Sequence, residues 1–252
     1  MKGQQLALSV QLRDAARFES FFPGPNAETI ASLRAYLDAP AGNGLLLFGA
    51  PGLGKTHLLQ ALVREVAARR LAVAYLPLRE PGASDPEALD GLETQSLICL
   101  DDIDAALEDA GWSLALLRLL DALRAGNRRV LLSARSAPER LQIQRSDLLT
   151  RLSACTLLGL KPLRDADRGE LLRSRARARG LELPDDALRW LLTHLPRDTG
   201  SLIAALERLD QASLAAQRKL TLPFVQMAVR PLLLGPVDAH FTSALPPQNS
   251  PG

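Results

Sequence analysis

The eight residues Gly49-Ala50-Pro51-Gly52-Leu53-Gly54-Lys55-Thr56 match the spacing G-x-x-x-x-G-K-[ST] at every fixed position, and each residue type suits phosphate chemistry. Gly52 and Gly54 let the backbone turn its N–H groups outward without a side chain in the way, and a helix starting just after them presents its positive end. Lys55 is then placed to reach the β- and γ-phosphates, and the Thr56 hydroxyl to ligate Mg²⁺. With Pro51, Leu53 and His57 these residues are expected to line ADP or ATP. A glycine-rich turn can precede a lysine by chance, but here an apolar run, Leu45 to Phe48, comes before it and helical apolar spacing, His57 to Arg70, follows.

A second apolar run, Leu97-Ile98-Cys99-Leu100, ends in Asp101-Asp102. In a parallel sheet the ligand crevice lies at the carboxyl ends of the strands, which puts two acids beside the phosphate loop. Asp101 is expected to hold Mg²⁺, directly or through water, and Asp102 to orient or deprotonate the attacking water. Acids often end strands, so the pair takes its meaning from the loop upstream. A third run, Val130-Leu131-Leu132, ends at Ser133. Its hydroxyl would touch the γ-phosphate or the water, or else close the strand through hydrogen bonds of its own.

The elements that must hold these groups alternate. Helices are expected at Ala27–Leu37, His57–Arg70 and Trp112–Leu123, and strands at Leu45–Phe48, Ala72–Leu76, Leu97–Leu100 and Val130–Leu132. Up to about Leu160 this is an α/β pattern with a doubly wound parallel sheet. Beyond Lys161-Pro162 the strands cease. Asp165 reads as a cap for a helix that Gly180 ends, followed by helices over Asp185–Leu195, Thr199–Gln217 and a short one from Leu222. The arginines of Arg173 to Arg179 alternate with other residues, which spreads them around a helix as a solvated face. Gly235 to Gly252 carries prolines and no core pattern, and is expected to be disordered.

The chain has 252 residues, 47% of them hydrophobic, enough for a core without covalent staples. Thirty basic against 28 acidic residues leave a net charge of +2, which does not call for a polyanionic partner. Cys99 and Cys155 both sit in apolar surroundings and read as buried thiols of a reducing cytoplasm. No signal peptide or membrane-length apolar run is visible, so a soluble cytoplasmic protein with no membrane partner is expected.

From Phe18 to about Leu234 the sequence resembles the DnaA-like branch of the AAA+ ATPases, and within it the regulatory inactivators of the initiator DnaA. Four stretches carry the resemblance: Phe21 to Asn26, Gly49 to Thr56, Leu100 to Ile103, and Ala212 to Phe224. It implies an AAA+ phosphate-loop parallel-sheet domain over 13–160 followed by a small α-helical lid over 161–234, with 1–12 an extended segment and 235–252 a tail. Asp147-Leu148-Leu149-Thr150-Arg151-Leu152 is similar to the family segment carrying an arginine finger, which implies that Arg151 supplies its guanidinium in trans. In the lid, Gly200 stands where the family places a nucleotide-sensing arginine, and Arg197 is the candidate to compensate. Intrinsic hydrolysis is then expected to be weak at most.

Against that background Gln5-Leu6-Ala7-Leu8-Ser9-Val10 resembles the short peptide that docks on the sliding clamp of the replicative polymerase (its β subunit). Leu6, Leu8 and Val10 are spaced to fill a groove, with Gln5 as polar anchor. By pattern alone the stretch fits an edge strand or a frayed tail equally well. The resemblance implies a clamp-associated, ADP-competent regulator that stimulates hydrolysis of DnaA-bound ATP and limits re-initiation, with a homodimer as a possible state. Too few residues follow Leu234 for a helix-turn-helix, so direct sequence-specific DNA binding is not expected. The alternative is a helicase loader or remodelling ATPase acting on single-stranded DNA.

Overall fold

The computed structural model describes residues 16–40, 42, 44–80 and 85–233. Five strands, β1 (Leu45–Phe48), β2 (Val73–Pro77), β3 (Leu97–Asp101), β4 (Arg129–Ala134) and β5 (Thr156–Gly159), form one sheet in the order β2-β3-β4-β1-β5. Every pairing is parallel, with Leu45 opposite Leu131 and Thr156, and Leu97 opposite Arg129 and Val73. Continuous apolar runs form β1, β3 and β4 because both their faces are covered, whereas β5 at the sheet edge is partly exposed.

Side chains alternate between the two faces. Leu45, Leu47, Leu97, Cys99 and Leu131 pack with Leu33 of α1 (Ala27–Asp38) and with Leu58, Leu59, Leu62 and Val66 of α2 (Lys55–Ala68). Leu46, Ile98, Leu100, Val130 and Leu132 pack on the other side with Trp112, Leu116 and Leu120 of α3 (Ala110–Ala125) and Leu148 and Leu152 of α4 (Ser146–Ser153). Each fully buried leucine contributes about 1.5–3 kcal/mol, so the sheet is the stiff part on which loops can be aimed. Both cysteines are free and buried, as expected; burial pushes the Cys155 thiol up to about 11 and the Cys99 thiol further.

Polar side chains fix the elements around β1. Asn26 exchanges two hydrogen bonds with the backbone of Lys161, at 3.0 and 2.7 Å, tying the start of α1 to the chain after β5. The Tyr36 hydroxyl donates to the Val130 carbonyl at 3.0 Å and accepts from its N–H at 3.1 Å, pinning α1 to the start of β4. At the start of α3, Asp109 accepts from the Trp112 N–H at 2.9 Å, the capping bond that satisfies an otherwise unpaired helix donor.

The chain divides into two compact units, the first running through Asp167 and including Asp198–Gly200, the second comprising Arg168–Arg197 and the chain from Ser201 onward. After the sheet come four helices, α5 (Asp165–Ala178), α6 (Asp185–His194), α7 (Thr199–Ala216) and α8 (Leu222–Leu233). The second unit buries Leu171, Leu188, Leu191, Leu206, Leu209, Val225 and Val229. Arg173 and Arg177 are exposed, as expected of a solvated face, and Arg175 and Arg179 are half-buried. Arg173 pairs with Asp185 of α6 at 2.7 Å, and Arg179, just past the end of α5, lies 3.6 Å from Asp210 and 3.9 Å from Glu207 of α7. Among the described residues no helix is long and apolar enough to cross a membrane.

Candidate functional site

The phosphate-loop motif occupies the turn between the carboxyl end of β1 and the start of α2, which begins at Lys55. Gly52 and Gly54 have φ of +78° and +95°, a left-handed conformation that costs an L side chain about 1–2 kcal/mol. A Cβ on Gly54 would stand 2.6 Å from Cε2 of Phe21, so the position has neither the angle nor the room for one. Lys55 is 6% exposed, and its ammonium donates to the carbonyls of Gly49 at 2.8 Å and Ala50 at 3.2 Å. Burial holds its pKa below the usual lysine range, against the opposing pull of Asp102, Asp101 and Asp104.

A left-handed glycine pair, a helix N-terminus and an ammonium at one strand end form a cradle that fits phosphate. Pro51 and Gly52 are exposed, and Leu53, Thr56 and His57 half-buried. His57 Nε2 lies 2.9 Å from the Arg17 carbonyl and 3.3 Å from Ser20 Oγ, which fastens the segment before α1 to the phosphate-loop helix.

Asp101 ends β3 and Asp102 follows it, but β4 lies between β3 and the phosphate-loop strand. Ser133 fills that intermediate position. Its buried hydroxyl donates to Asp101 Oδ1 and accepts from the Asp102 N–H at 2.8 Å. The other Asp101 oxygen accepts from the Tyr75 hydroxyl at 2.8 Å, and Gln60 Nε2 donates to that same phenol oxygen at 3.3 Å. Asp102 adopts a left-handed φ of +56° and accepts from Arg79 Nε at 3.0 Å. Next along the chain, Asp104 accepts from Arg79 at 3.3 Å and from the backbone N–H and side chain of Arg135.

Sequence reasoning missed Tyr75, Gln60, Arg79, Asp104 and Arg135. One signal was available: Tyr75 stands in a run otherwise made of aliphatic residues, and a buried phenol needs a polar partner. Among the described residues, no group of three or more His, Cys, Asp or Glu side chains is arranged to hold a metal ion.

Arg151 lies elsewhere. On α4 it shares a pocket with Gly44, Val130 and Cys155, which mark the starts of β1, β4 and β5. The phosphate loop leaves the other end of β1, about 13 Å away along a four-residue strand. Arg151 Nε donates to Asp121 Oδ1 of α3 at 2.6 Å. The guanidinium therefore stands at the amino end of the sheet while its own phosphate loop stands at the carboxyl end.

Arg197 is exposed just before α7, and Gly200 is the second residue of that helix. Gln5, Leu6, Leu8 and Val10, and the expected tail over 235–252, lie outside the described residues.

The family model of the lid domain of Hda matches residues 165–229, and that of the bacterial DnaA ATPase domain matches residues 12–79. Among solved structures, domain III of the Thermotoga maritima initiation protein DnaA superposes with a TM-score of 0.75 at 19% identity, covering 88% of this chain and 98% of that one. AMPPCP-bound DnaA from Aquifex aeolicus gives 0.69 at 18% identity over 82% and 69% of the two chains. A variant of Thermotoga maritima RuvB gives 0.66 at 16% identity over 87% and 72%.

The five-stranded parallel sheet, the loop at the end of β1 and the helices that follow give the chain an AAA+ fold. Within that class the two family matches are specific in kind, one to each part of the chain. The chain is thus similar to the Hda lid over residues 165–229 and to the bacterial DnaA ATPase domain over residues 12–79.

Proposed function

We propose that the chain is a nucleotide-bound, clamp-associated regulator that stimulates hydrolysis of ATP held by the initiator DnaA and so limits re-initiation of replication. ADP or ATP would lie against Pro51, Gly52, Leu53, Gly54, Lys55, Thr56 and His57, with Arg197 sensing it from the lid. Lys55 would release its loop carbonyls for the phosphates, and the left-handed glycines would turn backbone N–H groups toward them. Gln5, Leu6, Leu8 and Val10 would dock on the clamp.

One observation carries this reading. Arg151 and the chain's own phosphate loop are at opposite ends of the sheet, so the guanidinium is available to another molecule's nucleotide rather than to its own. A finger in trans stabilises charge on the transferring phosphoryl group and is worth roughly 10³–10⁵ in rate. The match to the Hda lid model supports the same partner. The Mg²⁺ that the resemblance implies would meet Thr56 and Asp101. Both Asp101 oxygens already accept hydroxyl hydrogen bonds, a donor set that does not fit a directly bound cation, and no step runs through it.

The test is single-turnover hydrolysis of ATP pre-bound to DnaA, with clamp loaded on DNA and ADP present, comparing the native chain with Arg151→Ala. Stimulation that vanishes in the variant is expected. Absence of stimulation by the native chain would favour a loader or remodelling ATPase instead.

A further inference from the structure

Asp101 is 3% exposed, and an ionised carboxylate so deep must have its charge met by donors or a cation. Here neutral donors meet it. The Tyr75 hydroxyl stands 2.8 Å from Oδ2, and the Ser133 hydroxyl donates to Oδ1. Neither donor is incidental. Pro77 pairs with Asp101 across β2 and β3, so Tyr75, two residues back, projects on the same face of the sheet directly beneath it. Gln60 of α2 donates to the phenol oxygen and so leaves the phenol proton directed at Asp101. The Asp102 N–H does the same for Ser133.

Mg²⁺ dehydrates reluctantly and is commonly held through its waters, which donate to carboxylates. Those waters would have to reach a carboxylate that is 3% exposed and already accepts a hydroxyl on each oxygen. The neighbouring acids are paired with arginines, Asp102 with Arg79 and Asp104 with Arg79 and Arg135.

We propose that Tyr75 and Ser133 satisfy Asp101 in place of a metal, so that this chain binds nucleotide with little dependence on Mg²⁺. Tyr75 is then a positioning residue acting through Asp101. The inference rests on the nucleotide-binding reading and narrows it: the chain holds its nucleotide by protein groups without a metal at Asp101 and is poorly equipped to hydrolyse it.

The experiment is titration of the full-length protein, stripped of nucleotide, with ADP, in excess MgCl₂ and in EDTA. For the native chain the two affinities should agree within about threefold, or less than 0.7 kcal/mol. Tyr75→Phe removes the donor and frees Oδ2, so Mg²⁺ should now tighten ADP by about tenfold relative to EDTA, or about 1.4 kcal/mol. Simple damage would weaken both titrations together. Native binding tenfold or more tighter with Mg²⁺ would overturn the inference while leaving the nucleotide site in place. An absence of ADP binding in both buffers would overturn the site as well. If Tyr75→Phe does not fold, the two native affinities decide the matter.

Discussion

Arg151 Nε and Asp121 Oδ1 are 2.6 Å apart, joining α4 to α3 at the amino end of the sheet. With side chains 37% and 47% exposed this is a surface ion pair, worth about 0–1 kcal/mol. A phosphate from another molecule can therefore draw the guanidinium away at small cost. Arg151→Ala should unfold within about 1 kcal/mol of the native chain yet lose at least about 10³-fold of any stimulation of DnaA-bound ATP hydrolysis. Denaturant unfolding and single-turnover hydrolysis measure the two sides. A variant that keeps the stimulation would place the finger elsewhere.

Asp121→Ala is the complementary change. It removes the carboxylate that competes with an incoming phosphate, so stimulation should persist or rise. Equal loss in Asp121→Ala and Arg151→Ala would mean that the pair acts as a structural unit and that Arg151 does not reach the partner's nucleotide.

Lys55 gives a pH dependence with a definite sign. Burial depresses its pKa in the nucleotide-free chain, below the ordinary value of about 10.4, and phosphate contact favours the charged form and raises it again. Between those two values nucleotide binding takes up a proton, so ADP affinity should fall as pH rises through the depressed pKa. Folding has the opposite slope there: the unfolded chain binds more protons, so whatever stability the buried ammonium costs at neutral pH is regained as pH climbs toward the unfolded pKa. Lys55→Ala should bind no ADP at any pH. Calorimetric titration from neutral to alkaline pH reads the slope, and undiminished ADP affinity in Lys55→Ala would refute the site.

Much of this arrangement was legible in the sequence because its strands are buried on both faces and so read as unbroken apolar runs. Leu45 to Phe48 and Leu97 to Leu100 are such cases, and the Gly-Lys-Thr turn after β1 left its element assignment in little doubt. Strand order was not legible. Nothing in Val130 to Ser133 says that it lies between the phosphate loop and the acids, yet that placement is why Ser133 bonds to Asp101 and Asp102. Tyr75 was hidden for another reason: a tyrosine in a strand fits ordinary β propensity, and its partners Gln60 and Asp101 are 15 and 26 residues away. Helical spacing shows how the arginines from Arg173 to Arg179 spread around the chain, but not the carboxylates of α6 and α7 that Arg173 and Arg179 meet.

Gly54→Ala tests the cradle without touching charge. The change forces a side chain into φ of +95° and a Cβ to 2.6 Å from the Phe21 ring, so Phe21 or the loop must move. Strain of this kind costs about 1–3 kcal/mol. Thermal unfolding should show that loss, and ADP binding should weaken at least about tenfold because the loop N–H groups no longer converge. A stable variant with native ADP affinity would show that the left-handed turn is not what receives phosphate.

Gly200 offers a gain rather than a loss. It is the second residue of α7 with no left-handed φ, and a Cβ there would come 3.2 Å from Asp198 Oδ1, a contact that a small side-chain adjustment relieves. Replacing glycine in a helix also recovers up to about 1 kcal/mol of backbone entropy in the interior, and less this near the end. Gly200→Arg should therefore fold at least as well as the native chain. If Gly200 stands where the family's nucleotide-sensing arginine belongs, the new guanidinium adds a charged contact to the phosphates, and ADP should bind about tenfold tighter. A control, Gly200→Ala, should reproduce the stability change without the gain in affinity. If both variants bind ADP alike, Gly200 is not at the sensing position, and Arg197→Ala becomes the change that must weaken binding for the lid to take part at all.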